Sequence, residues 1–180
     1  LASGAPELRR ALLDRVLEHL DVTFSTTQAA YQRALRSRNH LLRATRSERR
    51  AITAYDEILA SAGAVIGQAR TRLAEDLAPR VAALFGEISG ETSELRLRYA
   101  ARVEPQVAAL RSALAEGLER DLARGYTGAG PHADDVEVSL SGVRARRYAS
   151  QGQERAIGLA LKVAELAALE RRAGKIPILL

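Results

Sequence analysis

The residues best suited to chemistry form one short stretch, Tyr148-Ala149-Ser150-Gln151-Gly152-Gln153-Glu154-Arg155. It is a turn of small residues carrying one Ser, one Gly and two Gln side chains, and a long amphipathic pattern follows it. At the start of a helix the free backbone N–H groups and the positive end of the dipole point outward. Such a terminus is built to face an anion. Ser150, Gln151, Gly152 and Gln153 are therefore read as contacts for the γ-phosphate of a nucleotide.

Two further groups could bind something. Gly130-Pro131-His132-Ala133-Asp134-Asp135 sits in the main loop of the chain, just before a strand pattern. One His with adjacent acids is a weak metal signal, and the aspartates serve equally as turn formers. No metal site is assigned, and the roles of His132, Asp134 and Asp135 stay open. Arg33, Arg36, Arg43 and Arg50 fall on one arc of a helical wheel beside the apolar seam of Tyr31, Leu35 and Leu42. Such a stripe can track a phosphate backbone or simply be the wet face of a helical pair. Arg38 differs because it sits among the apolar positions, where an unpaired guanidinium is costly and a carboxylate partner is expected.

The elements that position these groups follow from periodicity. Pro6 and Glu7 suit a helix start, and Leu8, Leu12, Val16 and Leu20 predict one buried stripe, with Arg9 and Arg10 on a solvated face. Asp21 to Ser25 breaks the pattern and offers Thr23 or Ser25 as an N-cap to a second helix. A third helical region runs from about Glu48 to Gly86, with interruptions expected near Gly63, Gly67 and Pro79. Leu95, Leu97, Tyr99, Ala101 and Val103 alternate with polar or small residues and predict a half-buried strand. Pro105 starts another helix, with Val107, Leu110, Leu114, Leu118 and Leu122 inward and Gly125 at its end. Val136, Val138 and Leu140, a Ser141-Gly142 turn, then Val143, Ala145 and Arg147 read as a hairpin. The helix after Ser150 carries Ile157, Leu161, Ala164 and Ala168, with Gly174 as its cap. Ile176 to Leu180 reads as a buried, parallel strand.

Composition narrows the class. The 180 residues are 47% apolar, with a formal net charge of +5 and no cysteine, which excludes disulfides and thiolate metal sites. Residues 1–50 hold ten arginines against five acids and account for the excess, while Lys162 and Lys175 are the only lysines. Guanidinium suits phosphate through its two parallel donors, although codon bias explains an Arg- and Ala-rich chain equally well. No apolar run approaches the roughly 18–20 residues that span a bilayer. A chain without methionine that stops on an apolar run is expected to be an excerpt of a longer protein. The fold expected is α/β with a large helical insertion.

Three separated segments resemble the RecF proteins, the bacterial recombination-repair members of the SMC-like branch of ABC-type ATPases. Gly4-Ala5-Pro6 followed by Arg9-Arg10 and Leu13-Asp14 is similar to the family's Gly-x-Pro turn, paired arginines and Asp. Gly130 to Asp135 resembles its Gly-Pro-His-Arg-Asp-Asp segment, with Ala133 in place of the arginine. Ser150-Gln151-Gly152-Gln153 with Arg155 resembles its ABC signature. The similarity runs in register through Tyr31, Leu35, Arg38-Asn39 and Leu42, and Leu12 stands where the family usually has an aromatic. There is no Gly-x-x-x-x-Gly-Lys-Ser/Thr phosphate loop, and the chain stops just before the acidic end of the Walker B strand.

The resemblance implies part of an ABC/SMC-type ATPase head with an elongated, mostly α arm. Residues 1–20 would end the first ATPase-lobe segment, 21–127 would form the inserted arm, and 128–180 would return to the lobe. It implies ATP, with Mg2+ held mainly by parts outside this stretch, and no catalytic residue within it. Ser150 and the backbone of Gly152 would meet the γ-phosphate of nucleotide held by the opposing protomer. ATP would dimerise the protein on single-stranded or gapped double-stranded DNA, and slow hydrolysis would release it. RecO and RecR would be partners in loading RecA, with a part in the SOS response, in the cytoplasm and without a membrane. Another SMC-like ATPase of chromosome maintenance, or a non-enzymatic helical scaffold, is the alternative.

Overall fold

The computed structural model describes residues 4–44 and 48–173. It is mostly helical with a small antiparallel sheet. In chain order the elements are α1 (Pro6–Leu20), α2 (Val22–Arg43), α3 (Arg49–Thr53), α4 (Asp56–Ser89), β1 (Leu95–Ala100), α5 (Val107–Arg124), β2 (Asp135–Leu140), β3 (Val143–Arg144), α6 (Ala145–Tyr148) and α7 (Gln151–Ala173). The chain divides into two compact units, with borders after Asp21, Ala69, Ala100 and Asp134. The expected strand at 176–180 and the Gly174 cap lie outside the described residues.

The first unit contains α1, α4 from Arg70 onward, the sheet, α6 and α7. Its sheet has the order β1-β2-β3, all antiparallel, with Leu97 opposite Val138 and Tyr99 opposite Val136. Alternation puts Leu95, Leu97 and Tyr99 of β1 on one buried face with Val136 and Val138 of β2. Helix α1 packs on both β2 and α7. Leu12, Leu13, Leu97, Val136, Val138 and Leu161 surround one small apolar space, with Arg9 at its edge. On α7, Ile157, Leu161, Ala164 and Ala168 are buried as the spacing predicts.

Several expectations for this unit need correction. The buried face of α1 is Arg9, Leu12, Leu13, Val16 and Leu17, while Leu8 is 55% exposed. The stripe is rotated by one position, and Arg9 is a core residue rather than a solvated one. Strand β1 stops at Ala100, because its partner β2 begins at Asp135 and the ladder has nothing further to pair. The hairpin turns tightly at Ser141 (φ 46) and Gly142 (φ 82), the positive-φ pair that two-residue turns favour. Its return strand covers only Val143 and Arg144, after which Ala145 to Tyr148 form a helical turn.

The second unit contains α2, α3, α4 up to Ala69, α5 and the loop that follows it. Tyr31, Leu35 and Leu42 are buried as predicted, beside Phe24 and Ala34. Helix α2 begins at Val22, directly after an extended Asp21, so Thr23 and Ser25 lie inside the helix rather than at its N-cap position. Gly125 ends α5 in the left-handed conformation, its N–H returning to Asp121 O.

Helix α4 is unbroken through Gly63, Gly67 and Pro79. The two glycines permit close packing instead of ending the helix. A Cβ on Gly67 would lie 2.6 Å from Pro105 Cβ, and one on Gly63 would crowd Pro131, Leu110 and Tyr31 at 3.2–3.3 Å. Pro79 is exposed, while Leu73, Leu77, Val81 and Phe85 hold the opposite face. Among the described residues, no helix is long and apolar enough to cross a membrane.

Candidate functional site

Ser150 caps α7. The Gln153 N–H donates to Ser150 Oγ (3.2 Å) and the Ser150 N–H donates to Gln153 Oε1 (2.9 Å). This reciprocal pair is a capping box of the Ser-x-x-Gln form. The Ser150 hydroxyl oxygen is thus an acceptor within the chain and still has its proton to give. Among the described residues, the Gln151 and Gly152 N–H groups have no acceptor. Two N–H donors and one O–H donor therefore remain at an exposed helix N-terminus.

The turn is held from one side by the segment between α4 and β1. Gly90 takes φ 69 there, Ser89 Oγ accepts the Glu91 N–H (3.1 Å), and Gln153 Nε2 donates to Glu91 Oε2 (2.8 Å). An open groove of about 360 Å3 runs past Ile88, Glu91, Ser150, Gly152, Arg155 and Leu159. Gly152 meets no steric demand in this chain, since an added Cβ would find only Ser150 Oγ at 3.8 Å. A bare backbone in a first helical turn, where Ala would suit the helix better, keeps the approach to the N–H groups open.

The two other marked segments are tied to the fold residue by residue. Arg9 donates a fork to Asp135 (Nε to Oδ1 and Nη2 to Oδ2, both 2.9 Å), and its Nη1 donates to Gly4 O (2.6 Å). The turn before α1 is thereby pinned to the first residue of β2. Burial opposes ionisation of Asp135. The Arg9 bonds and charge, with the Val136 N–H, outweigh it and hold the carboxyl below the usual aspartate range. Its contribution to stability is present above the unfolded value and is lost as pH falls through the depressed one. Asp14 is likewise forked by buried Arg70 (2.7 and 2.9 Å), which also reaches Tyr99 Oη at 3.3 Å.

In the second unit His132 lies between Tyr31 Oη (2.6 Å, at Nδ1) and Thr127 O (2.9 Å, at Nε2). A carbonyl only accepts, so Nε2 carries the proton and Nδ1 accepts from the tyrosine. Asp134 Oδ1 accepts the Arg102 N–H at 2.9 Å. Among the described residues, no group of three or more His, Asp or Glu side chains is placed to hold a metal ion. Gly130 has φ 131, and a Cβ there would lie 2.3 Å from Tyr31 Oη. Gly130→Ala is expected to destabilise the full-length protein by about 2–3 kcal/mol through combined strain and overpacking, read as a shift in urea midpoint.

Arg38 is fully buried. Its Nε donates to Asp56 (2.8 Å) and its Nη1 to both Asp121 (2.7 Å) and Thr127 Oγ1 (2.9 Å). The Thr127 hydroxyl donates onward to Asn39 Oδ1, which also accepts the Thr127 N–H. The carboxylate partner expected from sequence is present twice. Arg33, Arg36 and Arg43 stand exposed on α2, and Arg50 is exposed on α3. Arg43 Nε donates to Gly125 O at 3.0 Å.

Sequence reasoning missed the capping box, although Ser-x-x-Gln ahead of an apolar helix was a visible signal. It also missed Glu91, which no spacing marks, and the forks of Arg9 and Arg70, whose partners lie far along the chain.

No protein-family profile matches this chain. It is 43% identical over 192 residues to the DNA replication and repair protein RecF of Myxococcus xanthus, all of the chain aligning with 50% of that protein. It is 44% identical over 189 residues to RecF of an Anaeromyxobacter species, covering 51% of it. RecF of Chloroflexus aurantiacus is 38% identical over 195 residues, with 50% covered. A solved structure of the recombination mediator protein RecF with ATP, of the RecFOR pathway, matches with a TM-score of 0.89 at 29% identity. That match covers 98% of this chain and 50% of the other. A RecF–ATPrS structure matches with a TM-score of 0.87 over the same shares. The chain spans about half the length of the curated relatives it matches.

Proposed function

Because this chain belongs to the RecF family, we propose that it is the signature-bearing half of an ATP-gated DNA-binding protein of replication and recombinational repair. The observation that carries this reading is the turn at Ser150. It offers two N–H groups and one hydroxyl proton at an exposed helix N-terminus, beside a glycine the fold does not require. Those donors fit a phosphate.

In this reading ATP supplies the polyanion that joins two protomers. Ser150 and the Gly152 N–H bind its γ-phosphate from the protomer that does not hold the nucleotide, with Gln151 and Gln153 lining the junction. Gln153 keeps its amide oxygen on the Ser150 N–H and so preserves the helix start while phosphate approaches. Mg2+ would be held by residues elsewhere in the protein. The residues at 1–20 and 128–180 belong to the ATPase lobe, and the helices from 21 onward to the arm. Hydrolysis by the whole protein is slow and serves to release DNA. Its partners are RecO, RecR and single-stranded or gapped DNA in the cytoplasm, where it helps load RecA and supports the SOS response.

The arm contributes Arg33, Arg36, Arg43 and Arg50 to the DNA backbone. Reversal of Arg36, Arg43 and Arg50 to Glu in the full-length protein should weaken DNA binding in ATP. The slope of log K against log salt should become shallower by about 2 on single strands. An unchanged slope would remove the arm from the DNA interface.

A further inference from the structure

Tyr148 is 72% exposed, the most open aromatic side chain among the exposed large residues. It ends α6, where Ala145 is the anchor and Arg146 and Arg147 also face solvent. Among the described residues, neither Arg146 nor Arg147 has a carboxylate partner, in a chain where Arg9, Arg38 and Arg70 all do. Ala149 is extended and Ser150 follows, so the Tyr148 and Ser150 Cα atoms are at most about 7 Å apart. Arg155 lines the groove on the other side of the turn. An exposed aromatic ring that two solvent-facing arginines precede in sequence, one residue removed from a phosphate-facing N-cap, matches the two ends of a nucleotide. The ring has a face for the base and the arginines have donors for the phosphates.

We infer that Tyr148 forms a nucleobase-binding platform that stacks on the base of the nucleotide whose γ-phosphate meets Ser150, with Arg146 and Arg147 available to its phosphates. This rests on the reading of Ser150 given above and extends it from the phosphate to the base. The tyrosine side chain carries its ring beyond the Cα separation and a triphosphate is flexible, so one molecule can engage both. Nothing in the fold needs the ring, because Ala145 supplies the buried contact of α6.

The test uses the full-length protein and ATP. Tyr148→Ala should raise the ATP concentration for half-maximal dimerisation about tenfold, the scale of one lost base–aromatic stack, while Tyr148→Phe behaves as wild type. Irradiation with 8-azido-ATP should label the peptide carrying Tyr148. Wild-type dimerisation by Tyr148→Ala overturns the platform, as does equal loss in Tyr148→Ala and Tyr148→Phe. Weakened binding of single-stranded DNA without ATP, with the ATP response intact, also overturns it and assigns the ring to DNA. Ser150→Arg run alongside separates the two ideas. If it abolishes dimerisation and Tyr148→Ala does not, only the platform falls. If neither affects dimerisation, the phosphate reading falls as well.

Discussion

Arg38→Met should destabilise the protein by about 3–5 kcal/mol, measured as the loss in urea unfolding free energy of the full-length chain. The side chain is fully buried and forks between Asp56 and Asp121, on α4 and α5, with Thr127 as a third acceptor. Methionine fills similar volume, so the cost is not a cavity. It is the desolvation of two carboxylates left without their cation. Arg38→Lys should recover little, because one ammonium cannot reproduce a fork that serves acceptors on separate segments.

The pH dependence gives this prediction a sign. Burial raises the Asp56 carboxyl above the usual aspartate value, and the Arg38 charge and hydrogen bond oppose that rise. A carboxyl whose folded pKa is raised contributes stability that is present below the unfolded value and is lost as pH rises through the folded one. Removing Arg38 removes the opposing cause and pushes the folded value higher. The deficit of Arg38→Met should therefore shrink on acidification toward the carboxylate range and be greatest at neutral pH. A deficit that does not change with pH would mean that packing, rather than charge, accounts for it.

What could be read from the sequence was whatever local periodicity determines. Arg38 stood out because a guanidinium interrupted the Tyr31, Leu35 and Leu42 seam, and burial of a charge implies a partner. Leu95, Leu97 and Tyr99 declared a half-buried strand by their period of two, and Gly125 declared the end of α5. Arg9 was hidden because stripes starting at Leu8 and at Arg9 share Leu12 and Val16. The choice between them depends on Asp135, 126 residues away. Gly63 and Gly67 were misread as breaks because their use lies in Pro131 and Pro105, which arrive from other segments. The return strand at Val143 was overextended because buried Ala145 between exposed neighbours satisfies a strand and a helical turn alike. At the candidate site the anion-facing turn was legible from residue types alone. The Glu91 contact that steadies Gln153 was not, since it comes from a turn 62 residues earlier.

The central claim is that Ser150 meets nucleotide held by a second molecule. Ser150→Arg addresses it because a long side chain would occupy the groove at the place where a phosphate oxygen must come within about 2.7 Å of the hydroxyl. The substitution also removes an N-cap, worth about 1 kcal/mol, which leaves the fold in place. Its local cost is therefore small beside its effect on an interface that must close at this point. The decisive measurement is sedimentation of full-length wild type and Ser150→Arg with and without saturating ATP, beside nucleotide binding by the monomer. The account predicts an ATP-dependent dimer for wild type, a monomer for Ser150→Arg in ATP, and monomer affinities for ATP within about threefold, under 1 kcal/mol. A Ser150→Arg protein that dimerises in ATP as wild type does would contradict it.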